Sequence, residues 1–230
     1  MRSFLSRGSL AKMRNMAPRT AALWVVGALL GGCTYDGFGS VENHFASFQV
    51  PAPAGNAVHV CHAYGCQRKT KVTFSAADVG ELSKLMAKTK KADTPAEERR
   101  AVAYAIGWME VRVGATIGTS SDRPGMDFAA SGDPTQQDCV DEATNTTSYL
   151  NVLVHNGLIK HHTVGIPFSK ENLLRGVAGW THWTAVLQDT STGQRWAVDS
   201  WIYGNGENPA VVEVEKWYIE DLASLPKSLR

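Results

Sequence analysis

Three side chains in the second half of the chain have the types and the order needed for nucleophilic attack on a carbonyl. Cys139 begins a stretch with helical spacing, and a thiol at a helix N-terminus faces unpaired N–H groups that favour the thiolate. His182 opens one predicted strand, and Asp199 closes the next. A hairpin of these strands would bring the imidazole beside the carboxylate and leave its other nitrogen for Cys139. The pattern predicts a Cys-His-Asp site.

The rest of this site is less sharply defined by the sequence. The backbone N–H of Cys139 could bind a developing oxyanion, and Gln136 or Gln137 could add a side-chain donor just upstream. The polarity of an exposed loop explains the two glutamines equally well. Structural roles also stay open for the three central residues, with Cys139 as an inert buried thiol, His182 as a sheet histidine and Asp199 as a turn cap.

The first 32 residues have the pattern of an export leader. They hold five basic residues and no acidic one, and their apolar run over residues 21–30 is too short to span a bilayer as a helix. The run ends in Leu-Gly-Gly-Cys, which resembles a bacterial lipobox, so we expect Cys33 to carry lipid and to begin the mature chain. An ordinary signal peptide or a short anchor is the alternative. Thr34 after this cysteine implies sorting to the outer membrane, facing the periplasm.

Export makes the remaining cysteines informative, because it places them in a compartment that permits disulfides. Cys61 and Cys66 enclose a short loop, and we expect a local disulfide between them. His59 and His62 lie beside these cysteines, so a metal cluster of the four residues is the alternative, although the spacing is cramped. The disulfide would leave Cys139 as a free thiol, and a free cysteine in an exported chain is expected to have a function.

Capping signals and periodicity predict the elements that position these residues. Ser75 and Thr94 are placed to cap helices, and Pro95 occupies the first position of the second one. Gly157 follows the apolar positions of a third helix that Cys139 begins. We therefore expect a hairpin over residues 58–74, a helix from Ser75 to about residue 88, helices over residues 95–113 and 139–154, and antiparallel strands over residues 181–188, 194–202 and 210–216. Residues 161–180 stay unassigned.

The resulting fold class is α+β, with N-terminal helices and the cysteine-bearing helix packed on an antiparallel sheet. We expect a leader over residues 1–32, a tether over residues 33–57 and one domain over residues 58–230. The chain is 43% hydrophobic and 20% charged, which is typical of a globular protein and excludes disordered or polytopic membrane classes. Beyond the leader, the chain has 18 basic and 22 acidic residues. Because this balance is slightly acidic, no nucleic-acid partner is expected.

Three sequence segments together resemble the transglutaminase-like superfamily, nearest to the bacterial transglutaminase-like cysteine proteinases. They are Asp-Cys-Val-Asp-Glu-Ala at residues 138–143, His-Trp at residues 182–183 and Trp-Ala-Val-Asp-Ser-Trp at residues 196–201. Cys139, His182 and Asp199 match the family's Cys, His and Asp in order and in spacing, which is 43 and then 17 residues. The resemblance covers roughly residues 95–202 and implies a papain/transglutaminase-like core.

The resemblance implies a lipid-anchored envelope thiol enzyme that acts on peptide or isopeptide bonds, most readily by hydrolysis. Its partners would be a peptide or protein substrate and the membrane, through the lipid on Cys33, and no metal or organic cofactor is needed. A non-catalytic lipoprotein that uses the same fold for binding or assembly is the alternative. A peptidoglycan endopeptidase of the NlpC/P60 type matches less well, because that family usually has Ser-Gly after the cysteine, where this chain has Val140 and Asp141.

Overall fold

The computed structural model describes residues 39–125, 127–171 and 181–220, all of which belong to one compact unit. Cys33 and the leader lie outside the described residues, so the lipobox stays a prediction. Within the part of the chain that the structure describes, no helix is both long enough and apolar enough to cross a membrane.

The described elements confirm the α+β class. Their order is α1 (Val41–Ser47), β1 (Ala57–His62), β2 (Arg68–Thr73), α2 (Ala76–Thr89), α3 (Pro95–Ile117), α4 (Cys139–His155), β3 (His162–Glu171), β4 (Thr181–Asp189), β5 (Arg195–Asp199), β6 (Ala210–Glu213) and α5 (Val214–Ile219). Strands β1 and β2 form the predicted antiparallel hairpin. The other four strands form one antiparallel sheet in the order β3-β4-β5-β6.

Helices α2 and α3 begin at the capping residues that the sequence indicates. The Ser75 hydroxyl accepts the Asp78 N–H at 3.1 Å, and the Asp78 carboxylate accepts the Ser75 N–H at 2.8 Å. The Thr94 hydroxyl accepts the Glu97 N–H at 3.3 Å, with Pro95 in the first helical position. Because each helix end is satisfied by neighbours in sequence, these boundaries are fixed locally.

The sheet separates two apolar clusters because its side chains alternate between faces. Ala185 and Leu187 of β4 face the main core, which α2, α3, α4 and the hairpin share. Val186, between them, faces a smaller cluster that α5 closes with Trp217. The same alternation places His182 on the side of the sheet that α5 covers, and its ring lies 5.3 Å from that of Trp217, centroid to centroid.

The predicted tether over residues 33–57 contains a packed helix in its described part. His44 of α1 is fully buried, and its Nε2 lies 2.9 Å from the Thr144 hydroxyl of α4. Just after this helix, the Phe48 ring packs edge-on to that of Trp183 at 6.1 Å. The folded domain therefore begins at least with α1, and the tether prediction was too long because seven residues are too few to display helical periodicity.

Strand β3 occupies residues that the pattern left unassigned. Its ladder with β4 shifts register between Gly165 and Phe168, and Pro167 lies within this irregular stretch. Gly165 is needed there, because a Cβ atom would lie 2.6 Å from Val186 Cγ1 of the neighbouring strand. Glycine and proline therefore hide the alternation that would otherwise have marked β3 as a strand.

Two predicted strands end earlier than expected. The chain turns after Asp199, where the Tyr203 N–H donates to the Ser200 carbonyl at 2.9 Å, so β5 does not reach residue 202. Strand β6 ends at Glu213, and the residues after it begin α5. Both early ends shape the candidate site, because the first leaves part of β4 extending beyond β5 and the second brings a helix onto the sheet.

Candidate active site

His182 and Asp199 form a buried pair near the ends of β4 and β5. His182 Nε2 lies 2.6 Å from Asp199 Oδ2, and both side chains are almost completely buried. Ala185 pairs with Val198 in the ladder, so Asp199 lies diagonally across from His182 on the same face of the sheet. The imidazole and the carboxylate are therefore in contact, as the hairpin of these two strands predicts.

A second donor on the same carboxylate oxygen fixes the direction of this hydrogen bond. The Trp217 indole N–H donates to Asp199 Oδ2 at 2.7 Å. An indole nitrogen only donates, so Oδ2 is an acceptor, and we assign the shared proton to His182 Nε2. His182 Nδ1 then carries an unused lone pair, and this buried atom has no hydrogen-bond partner among the described residues.

Cys139, the free cysteine of the described residues, lies against strand β4 at the two residues that flank the histidine. Strand β4 extends beyond β5, which pairs with it from Ala185 onward. The thiol occupies this uncovered edge: its Sγ donates to the Thr181 carbonyl at 3.6 Å, and the Trp183 backbone N–H donates to Sγ. These two backbone groups flank His182 along the strand. The early end of β5 thus makes room for the thiol beside the histidine.

The pKa of the Cys139 thiol is raised, contrary to the effect expected for a helix N-terminus. Burial is the largest cause, because the residue is only 3% exposed. The negative charge of Asp138 raises the pKa further, and those of Asp199 and Asp141 add to it, whereas the Trp183 N–H lowers it. The resting thiol is therefore protonated at neutral pH, and the local effect of the helix does not prevail.

This raised pKa predicts slow alkylation of Cys139 in the folded protein. Iodoacetamide reacts with the thiolate, so at about pH 6 we expect a rate at least tenfold below that of an exposed cysteine, increasing steadily with pH. Mass mapping of alkylated Cys139, in the folded protein and in urea, measures the difference. Fast alkylation with a plateau at mildly acidic pH would show instead that the folded protein holds an ionised thiol.

The predicted disulfide between Cys61 and Cys66 is present, with their Cα atoms 4.5 Å apart. The alternative metal cluster also required the ring of His62. Both nitrogens of this ring are already in use, because Nδ1 lies 2.8 Å from the Pro134 carbonyl and Nε2 lies 2.9 Å from the Thr70 hydroxyl. The disulfide interpretation is confirmed, and the cluster with His59 and His62 is not formed.

The disulfide loop holds the first turn of the helix that carries Cys139. Residues 63–66 all have φ between 56° and 71°, a left-handed turn that directs backbone N–H groups at two carboxylates. Three of these N–H groups donate to Asp138 and Asp141 at distances from 2.6 to 2.9 Å. Asp138 in turn caps α4 by accepting the Val140 N–H at 3.1 Å. The disulfide loop therefore fixes the position of Cys139.

Gln136 and Gln137 are buried, so the exposed-loop interpretation was wrong. The Gln136 side-chain amide donates to the Ser121 carbonyl at 3.1 Å, and that of Gln137 donates to the Cys61 carbonyl at 3.0 Å. These bonds attach the segment before α4 to its neighbours, and they do not support the oxyanion role that the sequence suggested for either glutamine. The backbone N–H of Cys139 stays a candidate oxyanion donor, because the first N–H groups of a helix have no helical acceptor.

Three further carboxyl groups are buried close to the site. Burial raises the pKa of Glu110 to about 7 and that of Asp122 to about 7. Burial, followed by the charge of Glu110, raises the pKa of Glu142 well above its usual range, and Glu142 lies on α4 one turn after Cys139. The sequence did not single out these residues, because acidic side chains usually face solvent.

Trp217 is the site residue that the sequence pattern missed most clearly. It is fully buried in α5, whose first residues the sequence pattern predicts as strand. Its ring and that of Trp201 both pack against the His182 imidazole, with centroids 5.3 and 4.5 Å away. The one available signal was a tryptophan next to an apolar strand, which indicates burial and gives no information about its partner.

The class that this fold and site define is an α+β protein with a buried His-Asp pair and a cysteine against the strand that carries the histidine. Comparisons with known proteins add no relative, because no family model, no curated protein and no solved structure matches the chain.

Proposed function

We propose that this protein is a thiol enzyme in which Cys139, His182 and Asp199 transfer acyl groups from peptide or isopeptide bonds, with hydrolysis as the normal outcome. The observation that carries the proposal is the 2.6 Å contact between His182 Nε2 and Asp199 Oδ2, with Nδ1 left unused. Buried His62, by contrast, uses both of its ring nitrogens in hydrogen bonds within the fold.

In this proposal the resting thiol is neutral, so His182 acts as a general base. As Cys139 Sγ forms a bond to the substrate carbonyl carbon, the thiol proton passes to Nδ1, and Asp199 stabilises the resulting imidazolium. The C–N bond then breaks while the imidazolium returns this proton to the leaving nitrogen, which yields an amine and a thioester. Water attacks the thioester, its proton passes through Nδ1 to the sulfur, and a carboxylic acid leaves. An amine in place of water would give transfer.

An activated ester tests the proposal without knowledge of the natural substrate. We expect p-nitrophenyl acetate to release a burst of p-nitrophenolate and to leave one acetyl group on Cys139, located by peptide mapping. Cys139→Ala should lose both signals. His182→Ala should lose the burst although its thiol is intact, because no base takes the thiol proton. Equal acetylation of the wild type and His182→Ala would contradict the proposed roles.

We also propose that the enzyme acts in the cell envelope, held at the outer membrane by a lipid on Cys33 and facing the periplasm. The leader pattern supports this location, and so does the Cys61–Cys66 disulfide, which needs an oxidising compartment to form and persist.

A non-catalytic binding or assembly module is the second candidate, and one observation favours it. Cys139 is 3% exposed and its thiol pKa is raised, as expected for a structural cysteine. The ester experiment separates the two candidates, because a binding module would show no burst and no acetyl group on Cys139 in the wild type.

A further inference from the structure

We propose that Trp217 is a positioning residue of the site, whose indole N–H holds the Asp199 carboxylate so that His182 keeps its proton on Nε2. This inference rests on the proposed function, because a fixed tautomer matters for catalysis only if Nδ1 receives the Cys139 proton.

The geometry around Asp199 supports this role. His182 Nε2 and Trp217 Nε1 both lie on Oδ2, at 2.6 and 2.7 Å. The other oxygen, Oδ1, is buried without a hydrogen-bond partner among the described residues. A rotation of the carboxylate away from this orientation would weaken both hydrogen bonds at once. Two donors on one oxygen therefore fix the carboxylate more firmly than His182 alone would.

The position of Trp217 is set by contacts that do not involve Asp199. Lys170 of β3 donates its Nζ to the Trp217 carbonyl at 2.8 Å, and the same Nζ lies 4.3 Å from the centroid of the indole ring. Phe168 packs edge-on to this ring at 6.0 Å. Lys170 is the direct partner of His182 in the ladder between β3 and β4. The indole therefore has its own anchor on the sheet that carries the histidine.

The chemical consequence follows from the two forms of a neutral imidazole. One nitrogen carries hydrogen and the other accepts, so a proton on Nδ1 would prevent His182 from taking the Cys139 proton. Without the indole N–H, the Asp199 carboxylate has one donor fewer and turns more freely, and the Nδ1–H form becomes populated. Trp217 acts through Asp199 and His182 and does not itself touch the reacting atoms.

Two replacements in the full chain remove the N–H and retain an aromatic ring. Trp217→Phe does so with a smaller ring, and benzothienylalanine at position 217 replaces the N–H with sulfur and keeps the shape. Trp196→Phe is the matched control: its indole nitrogen is buried without a hydrogen-bond partner among the described residues, and its ring stacks with Arg99 at 3.6 Å, away from the His-Asp pair.

We expect both Trp217 replacements to slow acetylation of Cys139 by p-nitrophenyl acetate on the order of tenfold, the lower end of what loss of a hydrogen bond to a charged group costs. The control should acetylate at the wild-type rate. Long-range proton–nitrogen NMR of His182 supplies a readout that a merely structural role would not change. The wild type should show the Nε2–H form, and the replacements should show a mixture with the Nδ1–H form.

The two readouts distinguish failure of this inference from failure of the proposed function. Wild-type acetylation that requires His182, together with unchanged rate and tautomer in both replacements, overturns the role of Trp217 and leaves the proposed function intact. Absence of wild-type acetylation overturns the proposed function, and it also overturns the role of Trp217 in catalysis. If both replacements fail to fold, the wild-type spectrum decides: a Trp217 indole proton without the downfield shift of a hydrogen bond to a carboxylate overturns the inference.

Discussion

Replacement of Asp199 by alanine is expected to slow acetylation of Cys139 on the order of 10⁴-fold, the loss typical of removing the aspartate from such a triad. Asp199→Asn is expected to lose far less, on the order of a hundredfold, because the large loss that this change can cause in a triad comes from the wrong histidine tautomer, which this site prevents. Because the Trp217 N–H needs an acceptor at the Oδ2 position, asparagine should place its carbonyl oxygen there and its amide group at the Oδ1 position. His182 then keeps its Nε2–H form, and only the stabilising charge is lost.

The burst rate with p-nitrophenyl acetate measures this difference, and a surface pair supplies the control. Asp93 contacts His161 Nε2 at 2.9 Å in a similar His-Asp arrangement, but its side chain is 71% exposed. Asp93→Ala should therefore acetylate at the wild-type rate. The double variant Asp199→Asn with Trp217→Phe should lose the orientation as well and fall toward the alanine rate. Acetylation of Asp199→Ala within about threefold of the wild type would remove Asp199 from the mechanism.

The parts of the fold that the sequence predicts are those whose physical causes are local. Ser75 and Thr94 accept hydrogen bonds from helix N–H groups three residues away, so the first residues of α2 and α3 can be predicted from a short stretch of sequence. The contact between His182 and Asp199 also follows from the sequence, because a single hairpin joins the strands that carry them. In each case the partners are close along the chain or are placed by one turn.

The parts that could not be predicted depend on contacts between distant segments. Trp217 reaches Asp199 only because β6 ends early and α5 folds onto the sheet. No sequence pattern indicates either of these two features. The pairing of His44 with Thr144 joins residues 100 positions apart. A propensity or a period describes one element at a time, so it cannot identify such partners.

The ionisation of Cys139 shows how tertiary burial overrides a local electrostatic argument. The thiol begins α4, as predicted, and faces the positive end of that helix. Helix termini stabilise a charge by a fraction of a pKa unit to about one unit, whereas desolvation of a buried group shifts the pKa by several units. Since Cys139 also lies near Asp138 and Asp141, its pKa moves up. The sequence predicted the position of the thiol and not its environment.

The buried carboxyl groups make stability depend on pH, and Glu110 allows the effect to be measured. Its pKa is raised from 4.5 to about 7, because burial disfavours the charged form. The folded protein therefore holds a proton on Glu110 at pH values where the unfolded chain has released it, so the free energy of unfolding decreases as the pH rises between these values. Asp122, with a pKa raised to about 7, acts in the same direction.

Glu110→Gln is therefore expected to remove about 3 kcal/mol of the decrease in unfolding free energy between about pH 4.5 and about pH 8. Glutamine does not titrate, and it keeps an acceptor oxygen for the Gly206 N–H, which Glu110 Oε2 accepts at 3.0 Å. Urea unfolding of the wild type and the variant at both pH values measures the difference. Glu81→Gln, at a side chain that is 58% exposed, should leave the pH dependence unchanged. If Glu110→Gln has the same pH dependence as the wild type, Glu110 is ionised in the folded protein and its burial is offset by contacts with charge-stabilising groups.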